Sequence, residues 1–404
     1  MKCNLNSITH GYGGFSHFIS RPMSVIEFQR GDLREFFLTF CPKTHSSGES
    51  ESVEDIYDRV AEFISYIRGE IVQERCYAMT NTYAEISAAR EKAYRKYGVE
   101  SKGTLCFVGE MPCEPSPVAG IHVWAVQSKK SAVVCQLMIE GRAVGRMFCY
   151  QNICYVSVAS LGPRKDLEEG HRLQDRAVSM FQQANEILTA HGLSYRNVLR
   201  TWIYLPKLLS WYDEFNAARR QAYREFGLMD GPKPVWLPAS TGIQGDCPLG
   251  RECMMDFVAI SRREGGTLEM EMLNSPRQCD AFRYGSSFSR AVELRDESVS
   301  RIYVSGTASI DEQGKTAHVG DPEKQIRHTL RVVREILASR GHGFSDIAHC
   351  VAFLKRPEYS TEFRRIADEE GLDHRGVIET AADICRDELL FEVEIMTVRP
   401  LGES

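Results

Sequence analysis

Two glutamates late in the sequence have the spacing that could provide a proton donor. Glu392 and Glu394 alternate with Phe391, Val393 and Ile395. In a strand, residues two apart share a face, so the carboxyl groups point one way and the apolar side chains the other. Burial and a like-charged neighbour both raise a carboxyl pKa, so one glutamate could stay protonated at neutral pH and act as a general acid. The alternative is a solvated face with two ordinary surface carboxylates.

Three further patterns could line the same site. Ala308 ends a run of small residues, 305–308, which would let a ligand approach the backbone or would pack closely against another sheet. Thr241 lies in a short polar segment that could supply hydroxyl and backbone donors or form a plain turn. Cys385 precedes Glu392 by seven residues, but no His or Asp stands at a telling spacing, so we do not expect a nucleophile.

Arginine is the side chain best suited to holding a substrate carboxylate, because its fork makes two parallel hydrogen bonds. Arg375 lies seventeen residues before Glu392, and Arg283 with Tyr284 lies in a glycine- and serine-rich segment. A lone arginine is usually a surface residue, and the Arg283 segment could equally be a loop that connects two domains. The residues alone leave both alternatives open.

Internal repeats organise the elements that would position these side chains. The segment Ser87 to Gly98 recurs without a gap from Asn216 to Gly227, with most positions identical. Around each copy, and again in the last third of the chain, strand-like and amphipathic runs follow the order ββαβαβ. The alternative is two unrelated α+β domains with an accidental match. At the strand of Glu392, the second repeat reads Met254 to Asp256 and the first reads His122 to Trp124, so neither offers a matching carboxylate.

The repeats predict an α+β fold of three units, with boundaries at residues 21–130, 131–270 and 271–404. A single unit would leave one sheet face bare and apolar. We therefore expect the three units to pack sheet to sheet around a common axis.

Composition excludes several classes of function. The 404 residues carry a net charge of −6 and no basic stripe, so a nucleic-acid partner is not expected. The 13 cysteines show no zinc-ligand spacing, which predicts no metal or other cofactor and reduced thiols in a cytoplasm. No run approaches 18 apolar residues and no signal peptide is recognisable, so neither membrane nor secretion is expected.

The third unit resembles the YjgF/Rid family through VSGTASID, from Val304 to Asp311, and FEVEIMTV, from Phe391 to Val398. Members of that family are trimers with pockets between subunits. The resemblance implies three tandem Rid-like, chorismate-mutase-like units that form a pseudo-trimer within one monomeric chain.

Within that superfamily the chain is similar to the chorismatases over about residues 140–400. The segments that carry this likeness are NVLRTWIYL (Asn197 to Leu205), LPASTGIQG (Leu237 to Gly245), NSPRQCDAFRYGSSFSRA (Asn274 to Ala291), VSGTASI (Val304 to Ile310), HVGD (His318 to Asp321) and ICRDELLFEVE (Ile384 to Glu394). The first unit lacks these motifs and looks like an additional, degenerate Rid-like domain.

The resemblance implies roles for individual residues. Glu392 matches the catalytic glutamate of both groups, and Arg375 matches the arginine that holds the substrate carboxylate in Rid proteins. Arg283 and Tyr284 resemble an Arg-Tyr pair that lines the chorismatase pocket, and Cys385 resembles a cysteine beside the ring. The implied substrate is a small carboxylate.

The implied activity is release of pyruvate from chorismate or a related enol ether by a hydrolase or lyase of secondary metabolism. The product would be a dihydroxycyclohexadiene carboxylate or a hydroxybenzoate. Chorismatases usually follow TASI with a Gly-His pair, whereas this chain reads Asp311 to Gly314, DEQG, so the substrate could differ. The alternatives are a Rid-type imine deaminase and a non-catalytic metabolite-binding protein.

Overall fold

Three large sheets make up most of the secondary structure. The computed structural model describes residues 9–10, 15–20, 22–43, 50–100, 103–128, 132–139, 141–167, 171–231, 233–262 and 267–401. Within these ranges the sheets have seven, six and seven strands, and a two-stranded ribbon lies beside the second. Two helices cover one face of each large sheet. We call each large sheet with its two helices a unit, in chain order.

The first unit contains two helices that begin or end at recognisable caps. Its elements are β1 (Thr9–His10), β2 (Phe15–Ser20), β3 (Met23–Arg30), β4 (Leu33–Phe40), α1 (Val53–Ile67), β5 (Glu70–Ala78), α2 (Tyr83–Tyr97), β6 (Cys106–Gly109), β7 (Met111–Pro112) and β8 (Val118–Gln127). The sheet order is β1-β2-β3-β4-β8-β5-β6, and β7 leaves it to join the third sheet. Ser52 caps α1 by accepting a hydrogen bond from the Asp55 amide at 3.1 Å. Gly98 ends α2 with a φ of +67°, which glycine adopts without steric cost.

The second unit has the order β15-β12-β16-β11-β10-β9. Its elements are β9 (Ala132–Ile139), β10 (Arg142–Tyr150), β11 (Ile153–Leu161), α3 (Leu173–Ala190), β12 (Val198–Tyr204), α4 (Tyr212–Glu225), the ribbon strands β13 (Met229–Asp230) and β14 (Lys233–Pro234), β15 (Ala239–Ile243) and β16 (Met254–Arg262). The repeated sequence segment forms most of α2 in the first unit and of α4 here.

The third unit has the order β17-β18-β19-β22-β20-β21-β7. Its elements are β17 (Glu269–Leu273), β18 (Ala291–Arg295), β19 (Val299–Ala308), α5 (Pro322–Ala338), β20 (Ile347–Leu354), α6 (Ser360–Glu369), β21 (Ile378–Ala381) and β22 (Phe391–Pro400). Its sheet begins at Glu269, two residues before the sequence-based boundary, and the first sheet includes β1 and β2, which precede residue 21.

The order ββαβαββ occurs three times among the strands of the large sheets, one strand more than the sequence predicted, and the last strand of each repeat lies in the interior of its sheet. Backbone hydrogen bonds join each unit to the next. Gly109 and Asp246 exchange two bonds of 2.9 and 2.8 Å, and the Gln244 amide donates to the Asp383 carbonyl at 3.1 Å. Met111 of β7 pairs with Ala381 of β21, which links the first unit to the third.

The helix-free faces of the sheets meet in a large central core that contains charged groups as well as apolar side chains. Arg301 donates to Glu35 at 2.6 Å, and both side chains are fully buried. Trp124 donates its indole N–H to the other oxygen of Glu35 at 3.2 Å. Because a buried charge is costly unless it is paired, these contacts fix how the first and third sheets face each other.

One expectation about the cysteines is wrong. Cys149 and Cys154 form a disulfide, whereas the sequence predicted reduced thiols throughout. The two residues face each other directly in the antiparallel β10–β11 ladder, which brings their Cβ atoms close together. In the described ranges we find no helix with the length and apolar character needed to cross a membrane.

Candidate functional site

The alternation along β22 places the two glutamates as the sequence predicts. Phe391, Val393 and Ile395 belong to the core under α5 and α6. Glu392 and Glu394 lie on the opposite face and are only 4% and 5% exposed. The alternative of two solvated carboxylates is therefore excluded.

Glu392 lies where the third unit meets the second. It pairs with Ala308 of β19 and Phe353 of β20 in the ladder. A Cβ on Gly306 would clash with Oε1 of Glu392 and would lie 3.2 Å from the methyl group of Thr241 on β15. The glycine is therefore needed to make room for the carboxyl group.

Burial and the nearby Glu394 raise the pKa of Glu392 to about 8, against the weaker opposing effect of Arg200 and Arg290. A carboxyl group with this pKa is mostly protonated at neutral pH and can donate a proton. Burial and the neighbouring Glu392 also raise the pKa of the Cys385 thiol, to about 12. This thiol is therefore protonated at neutral pH and unsuited to nucleophilic attack.

Glu394 connects the three units. Arg200 donates to its Oε2 at 2.8 Å and the Trp202 indole donates to its Oε1 at 3.1 Å, both from β12 of the second unit. Arg75, from β5 of the first unit, lies 3.6 Å from Oε1. Arg200 also donates to the Thr241 hydroxyl. Glu394 thereby fixes the side chains around Glu392 and adds the negative charge that raises its pKa.

Arg290 is a second buried cation near Glu392, and like Arg200 it was not among the residues expected from the sequence. It is 2% exposed, and its Nε and Nη2 donate to the Cys279 carbonyl at 3.0 and 2.5 Å. Gln278 donates to the Ala308 carbonyl at 2.6 Å, which holds the same loop against β19. The only sequence signal for Arg290 was its place in the Asn274 to Ala291 segment.

The structure brings together Glu392, Cys385, Ala308 and Thr241, but it does not bring the two expected arginines to them. The Arg375 side chain is 53% exposed and makes two bonds to Asp373, of 2.8 and 2.6 Å. Its neighbour Gly376 faces Ile19 of β2. Asp373 caps the turn and holds the guanidinium on the outer surface, so Arg375 does not serve as the clamp beside Glu392.

The Arg283 side chain is 69% exposed and lies 3.8 Å from Asp280, away from the buried cluster. Tyr284 belongs to the short 3₁₀ helix Ala281–Tyr284, and its side chain lies outside the described part. Among the described residues, no group of three or more His, Cys, Asp or Glu side chains could hold a metal ion.

Comparison with known proteins agrees with this architecture. Residues 280–398 match the family model described as endoribonuclease L-PSP. A crystal structure of a chorismatase superposes with a TM-score of 0.59 and 20% identity, covering 81% of this chain and 93% of that one. The segment that matches the family model lies within the third unit, and the chorismatase structure shares the fold over most of the chain.

The curated relatives are more specific. A 3-hydroxybenzoate synthase from Streptomyces hygroscopicus is 29% identical over 244 residues, 54% of this chain and 66% of that protein. A chorismatase from the same organism is 27% identical over 251 residues, 56% of this chain and 69% of that protein. The predicted resemblance to the chorismatases is confirmed. The chain spans just under two thirds of the length of the first of these relatives.

Proposed function

We propose that the protein is a chorismatase-type enzyme that releases pyruvate from chorismate or a closely related enol ether. The observation that carries the proposal is the buried Glu392, with its pKa raised to about 8, at the junction of two units beside a buried guanidinium. The names of the curated relatives support this substrate class.

Glu392 acts as the general acid. In its neutral form it protonates the methylene carbon of the enolpyruvyl group, which creates an oxocarbenium ion and leaves Glu392 as a carboxylate. Water or a hydroxyl group of the substrate then attacks the cation, and the attacking oxygen returns its proton to Glu392. In the water route the bond between the hemiketal carbon and the ring oxygen breaks, the hemiketal hydroxyl proton passes to that ring oxygen, and pyruvate and a dihydroxycyclohexadiene carboxylate form with one water consumed. In the hydroxyl route a ring C–O bond of the cyclic ketal breaks, that oxygen leaves as the carbonyl oxygen of pyruvate, and the ring loses a proton to become a hydroxybenzoate, with no net water.

The surrounding residues stabilise the charges that appear in this sequence. Arg200 and Arg290 favour the carboxylate form of Glu392 once it has given up its proton. We assign the role of carboxylate clamp to Arg290 instead of Arg375, because Arg290 is buried beside the donor and Arg375 is not. Thr241, Ala308 and Cys385 line the site around the ring.

The proposal includes an intrachain pseudo-trimer of Rid-like domains, divided near residues 130 and 270, with the third domain catalytic and the first degenerate. The three inter-unit backbone junctions support a pseudo-threefold arrangement, because each involves the end of a parallel edge strand and the loop before the next unit's central strand. A cytoplasmic location and a monomeric state remain predictions.

The turn that replaces the expected Gly-His pair bears on the ring product. Asp311 accepts hydrogen bonds from the amides of Gln313 and Lys315, at 2.9 and 2.8 Å, and closes the turn on itself. His328, on α5, lies 3.0 Å from the Ser309 hydroxyl, next to Ala308. We propose that this histidine takes the place of the missing imidazole.

The test is pyruvate release from chorismate by the Glu392→Gln variant, measured with a coupled lactate dehydrogenase assay. General acid catalysis contributes about 10²–10⁴-fold, and we expect a loss in that range. Glu388→Gln is the matched control, because Glu388 is an exposed carboxylate in the adjacent loop. Undiminished pyruvate release by Glu392→Gln would remove Glu392 from this role. Ammonia release from imino acids without chorismate turnover would favour the deaminase alternative.

A further inference from the structure

Three cysteines mark the same place in the three units. Each lies seven residues before an equivalent position in the central strand of its unit: Cys113 before Gly120, Cys247 before Met254, and Cys385 before Glu392. The strand pairing gives the same alignment of the three units. Gly120 pairs with Tyr77, Met254 with Tyr204 and Glu392 with Phe353, and these partners lie near the ends of the corresponding strands β5, β12 and β20. The Glu392 site therefore has two counterparts, one at each of the other junctions.

The counterpart between the first and third units is closed. A Cβ at Gly120 would lie 2.7 Å from Cγ1 of Ile378, so the side chain of Ile378 already fills the space. The counterpart between the second and first units is open: it holds a cavity of about 160 Å³. We call this the Met254 cavity; its apolar lining includes Leu105, Phe107, Val144, Leu161 and Met254.

The size of the Met254 cavity suits a single six-membered ring. An engineered apolar cavity of about 150 Å³ is known to bind benzene. The apolar side chains come from both units, so the cavity is shared between them. Leu249, which is 61% exposed, lies at its edge and gives a route to solvent.

A cation stands at the edge of this apolar space. Arg251 lines the cavity, and its Nη1 donates to the Ser160 carbonyl at 3.0 Å, which fixes the direction of the side chain. Arg251 and Cys247 also line an adjoining depression of about 440 Å³. Arg142 contributes a second positive charge to the lining. A guanidinium at the mouth of an apolar cavity favours an acidic group attached to a ring.

We propose that the Met254 cavity is a second ligand site, which binds a small six-membered-ring carboxylate without transforming it. The ring lies among Phe107, Leu161 and Met254, and the carboxylate contacts Arg251. Met254 stands where Glu392 stands in the catalytic unit and has no proton to give. This inference does not rest on the proposed reaction, because it uses only the repeat and the lining of the cavity.

The location is tested by diffraction from crystals of the full chain soaked in 4-bromobenzoate, whose bromine gives an anomalous signal. We expect a peak between Phe107 and Met254. A peak only beside Glu392 would overturn the second site and leave the proposed enzyme activity intact. No peak at either place would also overturn it, whereas the pyruvate assay would judge the activity separately.

The chemistry is tested by calorimetric titration with benzoate in solution. Arg251→Gln should weaken benzoate binding about tenfold, the value of one hydrogen bond to a charged group. Arg331→Gln, which removes a 58% exposed arginine of the third unit, is the control and should leave the affinity unchanged. Leu249→Asp places a negative charge at an exposed position of the mouth and should weaken binding without affecting folding. Equal affinity for benzamide, an unchanged affinity in Arg251→Gln, or binding at crystal concentration only would each overturn the proposal.

Discussion

The Glu392 site and the Met254 cavity occupy matching positions in neighbouring units but differ in chemistry. Where the third unit has Glu392, the second has Met254, and where β19 has Gly306 at its bulge, β11 has Ser160. The glycine leaves space for a carboxyl group, whereas the serine donates its amide to Asp256 at 2.7 Å. The same backbone arrangement therefore holds a buried carboxyl group at one junction and an apolar cavity at the next.

The carboxyl groups of Glu394 on β22 and Asp256 on β16 show what the two junctions share. Glu394 is bound by Arg200 and Trp202, and its counterpart Asp256 is bound by the Ser160 amide. Burial raises the pKa of Asp256. A hydrogen-bonded carboxyl group at the position of Glu394 and Asp256 is thus a structural feature of the central strand in both units. The residue two positions earlier is the one that differs, and in the proposed mechanism Glu392 can act as the acid whereas Met254 cannot.

Gly306→Ala gives the largest effect among the variants that leave Glu392 itself in place. A Cβ at this position would clash with Oε1 of Glu392, so the carboxyl group must move. Misplacing a catalytic group by about 1 Å can cost 10²-fold, and we expect a loss of about that size in kcat. Gly343→Ala is the control, because a Cβ there would meet only the Ser345 hydroxyl at 3.7 Å. If Gly306→Ala kept full activity, the space that distinguishes the two junctions would be irrelevant to catalysis.

Arg290→Gln tests the clamp. The variant removes the buried guanidinium beside Glu392, and we expect kcat/KM for chorismate to fall about 10- to 100-fold, mainly through KM. Arg290→Lys should recover part of the loss because it restores the charge without the fork. A thermal melt shows whether the fold survives loss of the bonds to Cys279. A purely structural role would lower the melting temperature and leave KM unchanged.

The pH dependence of pyruvate release follows from the pKa of Glu392, which is about 8. The reaction needs the protonated form, so kcat should be constant below about pH 7 and fall tenfold per unit well above pH 8. The measurement is a rate profile from about pH 5.5 to 9.5. A rate that rises through pH 8 would show that Glu392 acts as a base instead.

Stability gives an independent measure of the same pKa. The native pKa, about 8, lies above the ordinary value of 4.5, so between these values the folded chain holds a proton that the unfolded chain releases. The free energy of unfolding therefore falls as pH rises through this window, by about 3–5 kcal/mol at most. Chemical denaturation of Glu392→Gln alongside the unchanged chain should show a smaller fall in the variant, because other buried carboxyl groups such as Asp256 still contribute there, and the difference between the two slopes reports Glu392.

Much of the fold follows from local sequence patterns. The repeat around Ser87 to Gly98 predicted matching helices, and the alternation from Phe391 to Ile395 predicted which face carries the carboxyl groups. Both patterns have periods that sequence alone reveals. For Thr241 and Ala308 the residues alone left open whether they line a site, and the structure places both beside Glu392.

The cations of the site depend on tertiary contacts that no local pattern encodes. Arg290 is buried because its loop folds back and presents the Cys279 carbonyl to it. The Cys149–Cys154 pairing depends on the register of two strands. The sequence comparison aligned His122 of the first unit with Glu392. The strand pairing instead makes Gly120 the equivalent of Glu392 and His122 the equivalent of Glu394.

Arg375→Gln gives the smallest expected effect and sharpens the contrast with Arg290. The resemblance to Rid proteins makes Arg375 the substrate clamp, yet its side chain is 53% exposed and bound by Asp373. An exposed ion pair contributes about 0–1 kcal/mol, so we expect less than a twofold change in kcat/KM and a small change in melting temperature. Steady-state kinetics of the single variants and of the Arg290→Gln, Arg375→Gln double variant would separate the two arginines. A loss in Arg375→Gln as large as that in Arg290→Gln would mean that the turn at Asp373 rearranges to bring its guanidinium to the substrate.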